Sequence, residues 1–436
     1  MALLAASGRL DPASAARAVH VGELGLDGRL RAVRGVLPAV LAAARAGATR
    51  VVVPLANAAE ARLVPGVEVV AATRLADVVR AHGGDPGDAD DGGPLVGPAA
   101  AVPGEGPAAP GGARPDPDLA DVVGQLEARR AVEVAAAGGH HLVLIGPPGA
   151  GKTMLAARLP GLLPDLPERE AVEVTAVHSV AGSFDAAGGL VRRPPFEDPH
   201  HTATPAAVLG GGSGLPSPGA ASRAHRGVLF LDEAPEFSPR VLEGLRQPLE
   251  SGELVIARAK GLARFPARFQ LVLAANPCPC GRSAGKGLEC GCTPMARRRY
   301  LGRLSGPLLD RVDLQVVVDP VSRTDVAEGR GGGESTAVVA ARVAQARAAQ
   351  RERLRGTPWR CNGELPGQLL RGRLRLPPDR TGALDTSLDQ GGITVRGYDR
   401  VLRTAWTLAD LAGGGSPTRD HVGQALVWRL GERVAA

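Results

Sequence analysis

The sequence predicts an α/β protein with a parallel-sheet domain at its centre, an all-helical domain after it and a partial α/β unit before it. Three observations lead there. The apolar runs "HLVLIG", "GVLFLDE" and "FQLVLAAN" have the length of buried parallel strands, and helix-length segments and long insertions separate them. The first run enters a glycine-rich turn, "GPPGAGKT", that leads straight into the helical "MLAARLPGLL". Beyond about Val321, "AVVAARVAQARAAQRERL", "RGYDRVLRTAWTLADLA" and "TRDHVGQALVWRL" repeat their apolar residues at helical spacing.

In chain order, residues 1–82 read as a small α/β unit. "HVGELGLDGRLRAV" alternates about Asp27-Gly28 like a hairpin, "VLPAVLAAARAG" is helical, and "RVVVP" and "VEVVAA" are short strands before the helical "LADVVRAH". Residues 83–117, rich in Gly, Pro, Ala and Asp without periodicity, form a linker. The parallel-sheet domain takes 118–325 and the helical domain 326–436.

A chain of 436 residues with 44% apolar residues can bury two or three cores. No apolar run approaches the roughly 20 residues of a membrane helix, and the start lacks the basic flank and long apolar centre of a signal peptide. A cytoplasmic protein without membrane contact is expected. The net charge of +6 permits a nucleic-acid partner without requiring one, and an aromatic content of 3% argues against a broad platform for stacking bases. Lys152, Lys260 and Lys286 are the only lysines among 51 basic residues, so each position invites a reason.

Lys152 has one. Gly146-Pro147-Pro148-Gly149-Ala150-Gly151-Lys152-Thr153 fits G-x-x-x-x-G-K-[ST] in its required strand–turn–helix setting. The glycines let backbone N–H groups wrap phosphates, Lys152 reaches the β/γ oxygens, Thr153 holds Mg²⁺, and the helix N-terminus adds its positive end. ATP and Mg²⁺ are the expected ligands. "VLFLDE" delivers Asp232 and Glu233 at the carboxyl end of a buried strand, where open α/β sheets bind ligands; Asp232 suits Mg²⁺ through water and Glu233 suits activation of the attacking water. "LVLAAN" ends in Asn276, placed either to orient that water or to start a turn before Pro277.

Here the residues resemble an AAA+ ATPase, with Asn276 as its polar sensor. "RPPFEDPHHTATPAAVLGGG", "LSGPLLDRVDL", "NPCPCG" and "GYDRVLRTAWTLADL" narrow the resemblance to the magnesium-chelatase-like AAA+ family of the YifB/ComM type, over about residues 1–430. That resemblance implies an ATP-driven ring motor, a hexamer, acting on DNA in branch migration or as a helicase during recombination of incoming DNA. It implies that Arg311 in "LLDR" is an arginine finger for a neighbouring subunit and that Arg396 in "ITVRGYDR" is the sensor-2 arginine of the helical lid. It also implies a Lon-protease-like N-terminal domain, entered partway here. A Ser-Lys protease dyad is not expected, since no lysine precedes Lys152.

"ESGELVIARAKGLARFPARF" reads as a hairpin carrying Arg258, Lys260 and Arg264, and in related motors such hairpins point into the ring's channel. Contact there would be with DNA phosphates, a reading the arginine-rich helix with Arg342, Arg347, Arg351, Arg353 and Arg355 also favours. His200 and His201 lack partners at ligand spacing and are expected to be structural. Cys278, Cys280, Cys290 and Cys292 form two C-x-C pairs directly after the Asn276 strand; in a reduced compartment they suit a structural Zn²⁺ site, with an iron–sulfur cluster or free thiols as alternatives. Cys361 stands apart and is expected to be inert. Rival functions are a metal-insertion motor subunit of the magnesium-chelatase type, which needs partner subunits, and an ATP-dependent scaffold or switch.

Overall fold

The computed structural model describes residues 1–86, 117–212, 216–258, 261–283, 290–321 and 333–431. They belong to two units, one of Met1–Gly112 and Pro167–Arg192, the other of Ala113–Leu166 and Arg193–Ala436.

In the first unit β1 (Ala18–His20), α1 (Val36–Arg45), β2 (Arg50–Pro54) and β3 (Glu68–Ala72) follow one another, and the strands form a parallel sheet in the order β1-β2-β3. Val36, Leu37 and Val40 of α1 pack on Val51 and Val53. The expected hairpin pairs Glu23–Leu24 with Leu30–Arg31, and Gly28 supplies its left-handed residue at φ 75°.

The second unit opens with α2 (Leu126–Gly138), β4 (Leu142–Ile145) and α3 (Lys152–Leu162). The next helix, α4 (Glu168–Ala181), falls within 118–325 by sequence but packs with the first unit. Its Ser179 hydroxyl donates to the buried Glu60 carboxylate, which also accepts the Leu37 N–H at 2.9 Å. The linker therefore does not isolate the N-terminal residues from everything beyond it. The chain continues with β5 (Phe196–Glu197), β6 (Val228–Leu231), α5 (Arg246–Ser251), β7 (Glu253–Arg258), β8 (Gly261–Pro266), β9 (Gln270–Ala275), α6 (Pro294–Leu301) and β10 (Leu314–Val317).

β10-β4-β9-β6-β5 is the order of the central sheet, and every pairing is parallel. Alternate residues feed two cores, which is why these strands read as unbroken apolar runs. Leu142, Leu144, Phe230 and Val272 meet Ala131, Ala135, Leu155 and Leu159 of α2 and α3. Val143, Leu229, Leu231, Leu271 and Leu273 meet Val241, Leu242 and Leu308 on the other face.

The helical part contains α7 (Thr336–Arg353), α8 (Pro378–Asp389), α9 (Val395–Leu411) and α10 (Arg419–Leu430); the periodicity predicts α7, α9 and α10 but not α8. Its arginine-rich helix, however, is not a free basic stripe. Arg342 Nε bonds Glu133 at 2.7 Å, Arg347 Nε donates to the Ala136 carbonyl at 2.9 Å, and Arg353 binds Asp410 at 2.7 Å while lying 4.6 Å over the Trp406 ring. Three of the five arginines thus hold α7 to α2 and α9, which removes them from the case for phosphate contact.

Candidate nucleotide site and cysteine clasp

The phosphate loop starts where β4 leaves the sheet. The Gly146 N–H bonds the Ala275 carbonyl of the neighbouring β9 at 3.1 Å, and a Cβ on Gly146 would sit 2.1 Å from the Val318 carbonyl oxygen. Gly149 and Gly151 take left-handed angles, φ 78° and 91°, that turn the loop into α3. Pro147, Pro148 and Ala150 complete it, and Gln125 Nε2 ties it down at the Ala150 carbonyl, 3.1 Å away.

Lys152 is buried. Its ammonium donates to the Gly146 carbonyl at 2.7 Å, the Pro147 carbonyl at 2.9 Å and Asn276 Oδ1 at 3.1 Å. Burial pulls its pKa down, opposed by the charges of Asp232 and Glu233. Thr153 Oγ1 donates to Asp232 Oδ2 at 2.7 Å. Four residues from three strand ends therefore converge on the start of α3. They fit a nucleotide with its Mg²⁺: a cation and helix N-terminal N–H groups for phosphate, and a hydroxyl with a carboxylate for the metal.

Glu233 is at φ 50°, ψ 44°, a left-handed conformation uncommon outside glycine. Its Oε2 lies 3.1 Å from His201 Nδ1, so one of the histidines expected to be structural touches the expected base. Gln125 and His201 are the two site residues that sequence reasoning missed. Gln125 sits in no recognisable pattern, and nothing in the stretch that carries His201 points to Glu233; the turn after β5 brings it there.

Arg311 and Arg396 stand elsewhere. Arg311 lies three residues before β10, whose Leu314 pairs with Leu142 at the start of β4, so it occupies the amino edge of the sheet while the phosphate loop occupies the carboxyl edge. It is buried, donates to the Pro307 carbonyl and bonds Glu250 at the end of α5. Arg396, at the start of α9, lies 3.7 Å from the same Glu250 oxygen. The structure brings the two arginines to each other and not to the phosphate loop of their own chain. Next to them, the buried Asp313 accepts from Arg400 at 2.8 Å and from the His141 N–H at 2.9 Å, which joins α9 to the sheet. Arg400 beside it holds the Asp313 carboxyl well below the usual range, against the opposing effect of burial.

The hairpin exists as β7 and β8, antiparallel with Glu253 opposite Pro266 and Arg258 opposite Gly261. Arg264 is exposed and 3.9 Å from Glu253. Lys260 and the Arg258 side chain lie outside the described residues.

Cys278, Cys280, Cys290 and Cys292 place their sulfurs within 4.8 Å of one another. Cys278 Sγ is 3.4 Å from Cys280 and 3.6 Å from Cys290, and Cys280 is 3.6 Å from Cys290. Four thiolates about 2.3 Å from a zinc ion form a tetrahedron with edges of about 3.8 Å, so the cluster has nearly the right size. Burial pushes the Cys278 thiol up, yet its contacts with Cys280, Ser283 and Cys290 outweigh this and hold it at about 6. Cys361 lies far along the chain, its thiol pushed up to about 12 by burial, which suits an inert residue.

Three profiles match the chain: magnesium chelatase, subunit ChlI, over residues 118–326, its C-terminal domain over 333–429, and subunit ChlI of Mg-chelatase over 1–57. Competence protein ComM of Haemophilus influenzae is 40% identical, over 99% of this chain and 81% of its own. The chain belongs to the magnesium-chelatase-like AAA+ family of the YifB/ComM type. Escherichia coli YifB, an uncharacterized protein, is 38% identical over 100% of this chain and 81% of its own. The magnesium-chelatase 38 kDa subunit of Rhodobacter capsulatus is 29% identical over 74% of this chain and 89% of its own. Membership of this family implies ATPase activity. Among the described residues no helix is long and apolar enough to cross a membrane.

Proposed function

We propose that the chain is a cytoplasmic ATP-hydrolysing motor of the ComM type, which completes its active sites by assembling into a hexameric ring and acts on DNA by branch migration. The observation that carries the assembly is the position of Arg311, at the sheet edge opposite its own phosphate loop. A finger there serves the nucleotide of an adjacent copy, and Arg396, sharing Glu250 with it, serves the same neighbour.

Within each chain Lys152 binds the β- and γ-phosphates of ATP, and Asn276 and Glu233 hold the attacking water, Glu233 taking its proton. Thr153 and Asp232 would hold Mg²⁺, which when bound neutralises phosphate charge. The four thiolates suit Zn²⁺, which when bound closes a loop too rich in glycine to pack alone.

DNA is favoured by the basic hairpin and by the 40% identical relative, a competence protein. Phosphate release measured with and without branched DNA tests this. DNA should stimulate turnover, steeply less so as salt rises, and replacing Arg258, Lys260 and Arg264 together by Ala should abolish the stimulation while basal turnover persists. Stimulation that survives the triple replacement removes the hairpin from the mechanism. No DNA effect at low salt favours the second reading, a metal-insertion motor subunit, for which the Rhodobacter relative speaks.

A further inference from the structure

Arg311 is both buried and incompletely satisfied. Its Nη2 is bonded to Glu250 and its Nη1 to the Pro307 carbonyl, while Nε is buried with no hydrogen-bond partner among the described residues. A guanidinium engaged by a carboxylate has that much less charge to offer a phosphate. Glu250, in contrast, is more than half exposed and can leave. Glu243, whose charge Arg311 also feels, is engaged by Arg246 at 2.6 Å, so Glu250 is the carboxylate that Arg311 has.

The place of Glu250 in the chain ties it to the hairpin. It is the penultimate residue of α5, and β7 begins three residues on. Gly252 ends the helix in a left-handed conformation, φ 73°, with its N–H on the Pro248 carbonyl at 2.8 Å; its own carbonyl accepts the Ala267 N–H, just past β8, at 2.8 Å. Ser251 Oγ donates to the Gln247 carbonyl at 3.0 Å and accepts the Glu253 N–H at 3.3 Å. Both ends of the hairpin are therefore fastened to the last turn of α5. Leu254 of β7 and Leu308, three residues before Arg311, share one apolar core, with Leu249 packed against it.

We propose that Glu250 is a positioning residue that latches the finger. At rest its carboxylate keeps the Arg311 guanidinium within its own chain. Phosphates bound along the β7–β8 hairpin shift the last turn of α5 through Gly252, withdraw the carboxylate and release the guanidinium to the nucleotide of the adjacent copy. This rests on the readings of Arg311 as a finger and of the hairpin as the DNA contact. DNA then shifts an equilibrium between a held and a free finger by binding the free state better.

The test measures ATP turnover with and without branched DNA in the parent, Glu250→Gln, Glu250→Asp, Arg311→Ala and Arg311→Ala/Glu250→Gln. Glu250→Gln should raise the DNA-free kcat roughly two- to fivefold, the range for a half-exposed ion pair, and leave the DNA-saturated kcat and the KM for ATP at parental values, so that stimulation by DNA falls by the same factor. Glu250→Asp, which keeps the charge but draws it back by one methylene, should move the same way by less. The double variant should be no faster than Arg311→Ala; a faster one shows that Glu250 acts other than through Arg311 and overturns the latch. A merely structural Glu250 would lower both rates together. That result, or a parental DNA-free kcat in Glu250→Gln, also overturns the latch. If Glu250→Gln does not fold, Glu250→Asp decides, and a DNA-free rate at or below the parent overturns it. Parental turnover by Arg311→Ala overturns the finger reading instead. A parent that DNA does not stimulate overturns the hairpin reading and the release step, while the DNA-free rate of Glu250→Gln still decides the hold on Arg311.

Discussion

Removing the Arg311 guanidinium tests whether two copies of the chain build one active site. The four residues of β4 separate the sheet edges by roughly 13 Å at about 3.3 Å per residue, and Arg311 precedes the sheet at the far edge, turned toward Glu250. Its own phosphates are thus out of reach. Glu250 is more than half exposed, so leaving it without Arg311 strands no buried charge, and the Arg311→Ala chain should fold. That chain should bind ATP normally and hydrolyse it about 10³-fold more slowly, as for loss of other arginine fingers. Lys152→Ala chains fail for the complementary reason. If both enter rings at random, an equal mixture gives about one interface in four an intact phosphate loop facing an intact arginine, so about a quarter of parental turnover should return. Phosphate release at constant total protein, plotted against mole fraction, should peak at equal mixing. A mixture that never exceeds the sum of its parts, or parental turnover by Arg311→Ala alone, would refute the reasoning.

Further outcomes are expected. Lys152→Ala should weaken ATP binding in a filter or fluorescence assay, whereas Glu233→Gln should bind ATP as the parent does and stop turnover; equal binding by both would separate Lys152 from the phosphates. Purified protein should contain about one zinc per chain by elemental analysis, lost in Cys278→Ser/Cys280→Ser; zinc absent from protein prepared without chelators excludes the clasp, and iron with sulfide points to a cluster. His141 is held at about 4 by burial, with Asp313 opposing and Arg400, His140 and Arg403 assisting. Its neutral form is favoured in the fold, so its contribution is intact above the unfolded value near 6.5 and is lost as pH falls from there toward 4. The melting temperature of the parent should fall across that window, and His141→Gln should flatten the fall. Deleting residues 1–115 bares the face of α4 that packs on α1, so aggregation is expected where a decoupled linker would leave a well-behaved core; a soluble, monodisperse deletion protein contradicts this.

The core of the site was legible because its parts announce themselves locally. An apolar run, a glycine turn and a lone lysine occupy the eleven contiguous residues Leu142 to Lys152, and the sheet then has little choice about where their ends converge. The arginine-rich helix misled because charge along a sequence does not say which side of a helix faces acids; Glu133 and Asp410, which claim Arg342 and Arg353, come from distant segments. α4 misled for a similar reason, since its apolar face fits either unit by composition, and Glu60 with Ser179 decides the matter across 119 residues. His201 stands inside the stretch "RPPFEDPHHTATPAAVLGGG", but nothing in that stretch points to its partner. Its partner is 32 residues away and is set by the pairing of two strands, one of them only two residues long.

Asn276 and Cys278 are two residues apart, and Gly281 of the cysteine turn approaches the phosphate loop so closely that a Cβ there would fall 2.6 Å from Pro148. Tyr300 of α6, which follows the last cysteine, is buried beside the Asn276 backbone. Sensor, clasp and phosphate loop thus share one wall. Opening the clasp, by a chelator or by a disulfide between neighbouring thiols, would let that wall relax, and the first property to change would be nucleotide affinity, well before the sheet unfolds. On the proposed function, a metal held by these thiols would tie the state of the cysteine turn to the loop that is proposed to hold ATP.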